Sequence, residues 1–548
     1  MTTLDERPSS ATAIPAPGDY AARGRWPSFG RAQLVGAVAL LAVLALLVLT
    51  HVRGLAGSPS FEDDEGTYVS QAWSVLVQHR LAPYTYWYDH PPLGWIQLAG
   101  WFGLTGGLNH GAAVLSARWF ALVCAVLTAA LTWLVARRAG VGRIGATMAV
   151  LALAVSPLAV VQQRLALLDN TAMPWLLGSF ALVLSPRRRM WAAAGAGACF
   201  AVAVLTKETT LLFAPALAVA VLAHADRRTR SFTVTAITSS AVLLLIFYPL
   251  YAALKGELLP GSGHVSLFDA IRFQLYGRPS TGNPLAADSL GHQVVLGWLD
   301  TDRVLPITGV LAAVALLFLR RLRFVAVAVL LPVLFALRPG YLPMAYVIGL
   351  LPFLALAVGA VFDLLVSAGM PRAATNPLAA TDSGSHRRQL TRAASALLAC
   401  AAVVAAAGYV APKWSDADTY VAHQNANDYT LTAENWVSGH LAHRSRIIVD
   451  NSVWTDLVRR GFNPNLGVIW MYKLDYATNL DPSVRRALPA GWRDCDYVLV
   501  TPVLRAAVSN TPGGLPEIRD ALNHSRLVTS FGTGADRVEL RKLLKTGI

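Results

Sequence analysis

The sequence predicts a polytopic α-helical membrane protein with about eleven transmembrane helices, followed by a soluble α/β domain. Three observations support this fold class. Of the 548 residues, 55% are hydrophobic and only 14% are charged, which exceeds what one soluble core requires. Apolar runs long enough to cross a bilayer recur through the first three quarters of the chain. From Lys413 onward the apolar runs shorten, and helical and strand periods alternate.

These changes in composition divide the chain into three parts. Residues 1–31 are polar and rich in Pro, Gly and Ser, which predicts a disordered cytoplasmic tail. Residues 32–412 form the predicted transmembrane domain, with outer loops at 53–110 and 255–303. Residues 413–548 form the predicted extracytoplasmic α/β domain. The first apolar run begins late and lacks a small-residue cleavage site, so we expect a retained first span.

The predicted spans follow from the lengths of the apolar runs. The longer runs are Leu34 to Thr50, Ala112 to Val135, Ile144 to Val161, Trp191 to Leu205, Phe232 to Leu254 and Met344 to Val366. The shorter or interrupted ones are Ala172 to Leu184, Thr209 to His224, Leu305 to Leu319, Phe324 to Leu337 and Ala393 to Val410. Strand candidates in the C-terminal part are Arg446 to Asp450, Tyr497 to Thr501, Leu527 to Phe531 and Arg537 to Leu540, with a helix at Thr432 to Leu441.

Basic residues predict the orientation, because short cytoplasmic loops accumulate Lys and Arg. Such clusters fall on one side of the predicted spans, at residues 23–31, 137–143, 187–189, 227–230, 320–323 and 386–392. We therefore expect a multi-pass protein of the plasma membrane with a cytoplasmic N-terminus. The net charge of +14 is then mainly a topology signal, and no single basic patch points to nucleic acid.

The first candidate site is a run of four acids, Glu62-Asp63-Asp64-Glu65, directly after the first span. Carboxylates close to a bilayer are costly, and such groups usually hold a proton, a cation or a substrate. A carboxylate among hydrophobic neighbours also has a raised pKa, which suits a general base. The alternative is a helix N-terminus, where the helix dipole favours acids. Aromatic residues that follow, among them Tyr68, would lay this loop along the membrane surface.

The second candidate site closes the same loop, at Asp89-His90-Pro91-Pro92. Paired prolines fix the backbone at this point. They could equally start the next helix at its first turn, and a lone Asp-His pair is weak evidence for chemistry. The position downstream of the acidic run favours a functional interpretation.

Two charged pairs lie on the same predicted side, between later spans. Arg164 near Asp169 could form a structural ion pair or bind a lipid phosphate. Lys207 and Glu208 leave the same two alternatives open.

Three further candidates lie in the later outer loops. His264 stands among glycines and could meet an acid, a metal or a phosphate, although a lone loop histidine is more often solvated. Arg338 and Tyr341 are candidate anion contacts, with a snorkelling arginine as the alternative.

Together these residues resemble a known family. Asp64-Glu65-Gly66-Thr67-Tyr68 after the first span, with Asp89-His90-Pro91-Pro92-Leu93-Gly94 closing the loop, is similar to GT-C glycosyltransferases of the protein O-mannosyltransferase and lipid A aminoarabinose transferase type. Arg164 with Leu167-Leu168-Asp169 resembles the family's second outer element, and Lys207-Glu208 its third. The likeness covers about the first 350 residues and leaves the C-terminal domain uncovered.

The resemblance implies a GT-C-like fold and transfer of a hexose or pentose from a polyprenyl phosphate in the outer leaflet to a hydroxyl on a protein, lipid or glycan. The family inverts the anomeric centre in one displacement, which requires one base. The carboxylates implied in catalysis are Asp64 as the base, Asp89 and Glu65. The implied contacts to the leaving phosphate are His90, Arg164, Lys207 and Arg338. The implied substrate contacts are Asp63, Tyr68, Asp169, Glu208, His264 and Tyr341.

One departure from the family pattern concerns the base, since Asp63 precedes the Asp-Glu pair and could shift that assignment by one position. No cofactor is required by the resemblance. If a divalent metal takes part, the implied ligands are Asp63, Asp64, Asp89 and His264.

Two other classes of protein share part of this pattern. A lipid-linked sugar flippase would carry ionisable residues at mid-span and broken helices in repeated halves, whereas the charges here gather at loop ends. A non-catalytic binding protein of envelope assembly would keep the fold but lose the acids.

Overall fold

The computed structural model describes residues 31–187, 189–369, 408–475, 481–510 and 514–545. The predicted N-terminal tail and most of the predicted span Ala393 to Val410 lie outside these residues. The described chain consists of a large helical part and a smaller part built on one β-sheet, each with its own hydrophobic core.

Sixteen labelled helices lie in the described residues of the helical part, where residues 408–422 are helical as well. They are α1 (Arg31–Val52), α2 (Asp63–Trp73), α3 (Leu93–Thr105), α4 (Ala113–Arg138), α5 (Arg143–Val155), α6 (Pro157–Arg164), α7 (Leu168–Val183), α8 (Met190–Thr206), α9 (Ala214–His224), α10 (Arg230–Leu245), α11 (Phe247–Leu254), α12 (Leu267–Arg272), α13 (Leu290–Thr301), α14 (Val304–Leu316), α15 (Arg323–Ala336) and α16 (Leu351–Gly369). Short 3₁₀ or π turns lie at Ser74–Gln78, Glu208–Phe213, Phe273–Gly277 and Met344–Gly349.

Helices long and apolar enough to cross a membrane occur at Leu34–Val52, Ala113–Arg138, Arg230–Leu254 and Met344–Ser367. A fifth span results if α5 and α6, which meet at a bend of 66°, are counted as one. Four more apolar helices are shorter: Met190–Thr206, Glu208–His224, Val304–Leu316 and Arg323–Ala336. The predicted series of apolar helices is thus confirmed in part, and the number of about eleven spans stays a prediction.

Small residues bring the apolar helices into close contact. A Cβ on Gly145 of α5 would lie 2.4 Å from the carbonyl oxygen of Gly359 of α16. A Cβ on Gly359 would likewise lie 2.3 Å from the carbonyl oxygen of Gly145. Inside a membrane, where apolar side chains gain nothing by leaving lipid, such close backbone packing is a main source of helix association.

The C-terminal part contains a five-stranded sheet with the order β2-β1-β3-β5-β4. Its strands are β1 (Ile447–Val449), β2 (Val468–Trp470), β3 (Tyr497–Val500), β4 (Ser525–Phe531) and β5 (Val538–Leu543). Its helices are α17 (Asp428–His440), α18 (Asn451–Arg459), α19 (Met471–Leu474), α20 (Pro482–Ala487), α21 (Pro502–Asn510) and α22 (Pro516–Asn523). β1 pairs in parallel with β2 and β3, and β5 pairs antiparallel with β3 and β4. The sequence predicted the other four strands and missed β2.

The sheet part packs on the loop that carries the two acidic segments. Asn427 accepts the N–H of Phe61 at 2.8 Å, and the Tyr84 hydroxyl donates to the Val468 carbonyl at 3.1 Å. The indole of Trp454 is fully buried, with its centroid 5.4 Å from that of Trp73. Aromatic pairs of this kind each add about 0.5–1.5 kcal/mol beyond the area that they bury.

The contacts of α4 show which end of the helices carries the acidic loop and which end carries a basic cluster. Its first N–H, that of Ala113, donates to the Asp456 carboxylate of the sheet part at 3.1 Å. Its last turn carries Arg137 and Arg138 and therefore lies at the opposite end of the helix. The acidic loop and the sheet part thus lie at one end of the helices and this basic cluster at the other.

Candidate active site

The first acidic segment forms the N-terminal turn of α2. Glu62 is the N-cap residue, and it forms a capping box with Glu65, while Asp63 and Asp64 occupy the first turn. Acidic side chains are favoured here because the unpaired N–H groups carry partial positive charge. The helix dipole alternative from the sequence therefore describes this turn correctly, but the four acids differ in their surroundings.

Glu65 lies in a fully buried ion pair with Arg118 of α4. Arg118 donates through Nε and Nη2 to the two carboxylate oxygens, at 2.9 and 2.6 Å, and neither side chain is exposed. The N–H of Ala166 also donates to Glu65, at 2.9 Å. Such a bidentate pair, with further hydrogen bonds to the carboxylate, joins α2, α4 and the α6–α7 connection. Sequence reasoning missed Arg118 because it lies within an apolar run.

Asp63 and Asp64 differ in burial and in their neighbours. Asp63 is half-buried against the sheet part, where the backbone of Asn451 and the Tyr472 side chain face its carboxylate. Burial, followed by the charge of Asp64, raises the pKa of Asp63 well above its usual range. Asp64 is exposed and lies within electrostatic reach of Lys207 on the helical side.

His90 of the second acidic segment meets three residues of the later charged pairs, Asp169, Lys207 and Glu208. His90 Nδ1 lies 3.0 Å from the Glu208 carboxylate, and its Nε2 lies 3.1 Å from Lys207 Nζ. Lys207 Nζ is 3.9 Å from an Asp169 oxygen. Since an ammonium group only donates, the network assigns the His90 proton to Nδ1, with Nε2 accepting from Lys207. Four residues named from the sequence are thus brought together.

Tyr68 connects this cluster to the first acidic turn. Its ring stacks on Trp95 at a centroid distance of 6.4 Å and lies 6.2 Å from the His90 ring. Burial, followed by the charges of Asp64 and Asp169, raises the pKa of Tyr68 well above its usual range. A phenol held neutral among carboxylates is available as a hydrogen-bond donor.

The backbone around Asp89 is fixed by aromatic side chains and by the long loop after α11. The hydroxyl of Tyr86 donates to the His90 carbonyl at 2.5 Å, and Gln274 donates to the Asp89 carbonyl at 2.7 Å. The Asp89 carboxylate accepts the N–H of His90 at 3.0 Å. Tyr88 adopts a left-handed backbone conformation, with φ of 59°, which is uncommon outside glycine. The loop 255–303 therefore contacts the second acidic segment.

Arg164 lies outside the cluster around His90. It is 1% exposed and donates to the carbonyls of Thr50 and Arg53 at 2.6 and 2.7 Å. These are orphan carbonyl groups at the end of α1, which a cationic side chain satisfies well. Asp169, its proposed ion-pair partner, lies beside Lys207 instead.

Arg338, Tyr341 and His264 lie in the later loops. Arg338 is exposed and covers the Phe335 ring at 3.9 Å, whereas Tyr341 packs under the guanidinium of Arg278 at 4.2 Å. Arg278, which sequence reasoning missed, lies within electrostatic reach of Lys207. Lys207 and Arg278, which come from distant segments, thus lie on the same side as Asp64, since Tyr341 is within electrostatic reach of all three.

His264 is exposed, and its Nδ1 lies 2.8 Å from the adjacent Val265 carbonyl. Within the described residues, no group of three or more His, Cys, Asp or Glu side chains is arranged to hold a metal ion.

Comparisons with known proteins agree with this architecture. A family model described as dolichyl-phosphate-mannose-protein mannosyltransferase matches residues 89–252, a range that includes His90, Asp169 and Lys207. No curated protein sequence matches the chain.

Several solved structures share the fold. ArnT from Cupriavidus metallidurans, solved with undecaprenyl phosphate, is 13% identical with a TM-score of 0.58, over 93% of this chain and 98% of that one. An oligosaccharyltransferase from Archaeoglobus fulgidus, solved with Zn and sulfate, is 12% identical with a TM-score of 0.52, over 88% and 71%. The arabinofuranosyltransferase AftD from Mycobacteria is 17% identical with a TM-score of 0.50, over 93% of this chain but only 40% of AftD. The resemblance to GT-C glycosyltransferases is therefore confirmed at the level of the fold.

Proposed function

We propose that the protein is a glycosyltransferase of the plasma membrane that moves a sugar from a polyprenyl-phosphate donor to a hydroxyl acceptor, at the membrane face that carries α2. The observation that carries this proposal is the meeting of Asp64, Tyr68, His90, Lys207 and Glu208 at one end of the apolar helices. A base, a phenol that can donate a hydrogen bond and cations in one place suit displacement of a lipid phosphate. ArnT, which shares the fold, binds undecaprenyl phosphate, which supports the donor class.

The reaction is an inverting displacement in one step. Asp64 accepts the proton of the acceptor hydroxyl, whose oxygen forms the new bond to the anomeric carbon. The bond from that carbon to the phosphate oxygen breaks, and its electron pair leaves with the lipid phosphate. Negative charge grows on the phosphate, so cations placed there stabilise the transition state more than the ground state.

Lys207 and Arg278 supply that positive charge. The contact from Lys207 Nζ to His90 Nε2 fixes the ammonium group, and Glu208 fixes the His90 ring in turn. Glu208 and Asp169 also keep the buried Lys207 charged. Arg278 is held by the Tyr341 ring and can form two parallel hydrogen bonds to phosphate.

The two aspartates at the start of α2 divide their roles by exposure. Asp64 is the proposed base because it is solvent-accessible and lies on the side of Lys207 and Tyr68. Asp63 faces the sheet part, where burial raises its pKa well above the usual range. Asp89 helps to place the substrates through the segment that carries His90, whose N–H its carboxylate accepts. We assign Glu65 and Arg164 to holding the helices that frame the site.

Transfer from radiolabelled polyprenyl-phosphate sugars to crude envelope acceptors, in nanodiscs, tests this function. A general base contributes about 10²–10⁴-fold, so Asp64→Asn should reduce turnover by that factor and leave donor binding unchanged. Asp63→Asn is the matched control and should retain most activity. If Asp63→Asn is the inactive variant, the base is misassigned by one position.

The same experiment separates the alternative classes. Donor binding without transfer by the wild type, for every sugar tried, would favour a binding protein. Movement of labelled donor across a vesicle membrane without transfer would favour a flippase.

A further inference from the structure

The short helix α19 presents two neighbouring side chains to the two acidic segments of the first loop. It begins directly after β2, at the end of the strand, beside the Asp450-Asn451 end of β1. The carboxyl ends of parallel strands form the edge of α/β sheets at which ligands usually bind. Here that edge faces α2 and the loop 84–90 of the helical part.

Tyr472 faces the first acidic segment. It is half-buried, its hydroxyl points toward Asp63, and the charges of Asp63, Asp64 and Asp450 all act on it. Next to it, the side-chain amide of Asn451 donates to Thr67 of α2 at 2.6 Å. Gly66 lets the two backbones approach so closely.

Lys473 faces the second acidic segment. Its ammonium group lies over the rings of Tyr84 and Trp87, each at 5.2 Å, and within electrostatic reach of Asp89 and Asp481. Asp481 in turn accepts the N–H of Thr85 at 2.8 Å. A buried ammonium among aromatic faces and carboxylates holds the segment by cation–π and ionic attraction together.

These contacts span both ends of one loop from a single turn of helix. We propose that Tyr472 and Lys473 are positioning residues, through which the C-terminal sheet part sets the separation between Asp64 and Asp89. Tyr472 holds the turn that carries Asp64, and Lys473 holds the segment that carries Asp89. The C-terminal sheet part then holds the two acidic segments of the site in a fixed geometry. The turnover measurement below rests on the proposed function, whereas the hydrogen-exchange measurement does not.

The variants Tyr472→Phe and Lys473→Met test the proposal in nanodiscs. Matched controls are Tyr497→Phe on β3 and Lys542→Met on β5, which make the same chemical changes elsewhere in the sheet part. The first measurement is hydrogen–deuterium exchange of residues 61–73 and 84–90, which needs no turnover. We expect about tenfold faster exchange at 61–73 for Tyr472→Phe and at 84–90 for Lys473→Met, the change that corresponds to about 1.4 kcal/mol.

The second measurement separates positioning from simple stability. Turnover should fall about 10- to 100-fold in both variants. In Tyr472→Phe the KM for the donor should stay unchanged, because the turn that Tyr472 holds carries the proposed base and not the phosphate contacts. Lys473→Arg, which keeps the charge, should recover most of the turnover. Faster exchange with normal turnover would show that both residues are only structural contacts, and it would overturn the proposal. Hydrogen exchange at the wild-type rate in both variants would overturn it as well. A wild type without transfer would refute the proposed function, and the exchange data would still decide whether α19 holds the loop.

Discussion

At Gly66 the packing of α2 against the sheet part leaves no room for a single methyl group. In Gly66→Ala, the added Cβ would lie 2.2 Å from the carbonyl carbon of Asn451 and 2.3 Å from the nitrogen of Ser452, whereas ordinary contact begins at 3.4 Å. The obstacle is backbone, so no side-chain rotation relieves it. α2 and the first turn of α18 must separate by about 1.2 Å to restore ordinary contact. Overpacking of this kind typically costs about 1–3 kcal/mol.

The functional cost should exceed the loss of stability. The separation moves the turn that carries Asp64, and a displacement of about 1 Å can reduce catalysis about 100-fold. Transfer assays and thermal unfolding in nanodiscs measure both effects, with Gly100→Ala as the control, because a Cβ on that α3 glycine meets no atom within 4 Å. A Gly66→Ala protein with wild-type turnover and melting temperature would refute the reasoning.

Three further predictions concern individual charges. Arg118→Met leaves Glu65 buried and unpaired, so unfolding free energy should fall by about 3–5 kcal/mol; an unchanged melting temperature would contradict this. Lys207→Met should weaken binding of a polyprenyl phosphate about 10- to 100-fold in direct binding assays, since a charged hydrogen bond contributes about 1.5–3 kcal/mol; equal binding would remove Lys207 from the phosphate site. Burial and the charge of Glu65 raise the pKa of Glu62 from 4.5 to about 7. The folded state therefore binds this proton more tightly, and stability should decline as pH rises from 4.5 through 7. Because Glu62 keeps contact with water, the change should be at most about 1 kcal/mol, and melting curves of Glu62→Gln from pH 5 to 8 should lack it.

Sequence reasoning located much of the candidate site because its signals are local. The acidic run, the Asp89-His90 pair and the Lys207-Glu208 pair each stand out against apolar neighbours. Their predicted placement on one side of the membrane made a meeting plausible, and the structure brings His90, Asp169, Lys207 and Glu208 together.

Sequence reasoning could not predict which side chains pair with each other, because the partners are distant in the chain. Arg118 and Glu65 are 53 residues apart, and His90 and Glu208 are 118 apart. Nothing in the local pattern distinguishes an acid that neutralises a buried arginine from one that faces the site. Arg164 is a further example, since its partners are backbone carbonyls, which carry no sequence signature.

By itself, the sequence determined the class of protein, the apolar helices, four of the five strands and the resemblance to GT-C glycosyltransferases. These properties depend on hydropathy, period and short motifs, which act over a few residues. Only the tertiary structure decided that the sheet part packs on α2, that Asp63 is half-buried while Asp64 is exposed, and that Tyr472 and Lys473 reach the acidic loop. Such relations depend on how closely two backbones can approach, and at Gly66 that distance is set by the absence of one methyl group.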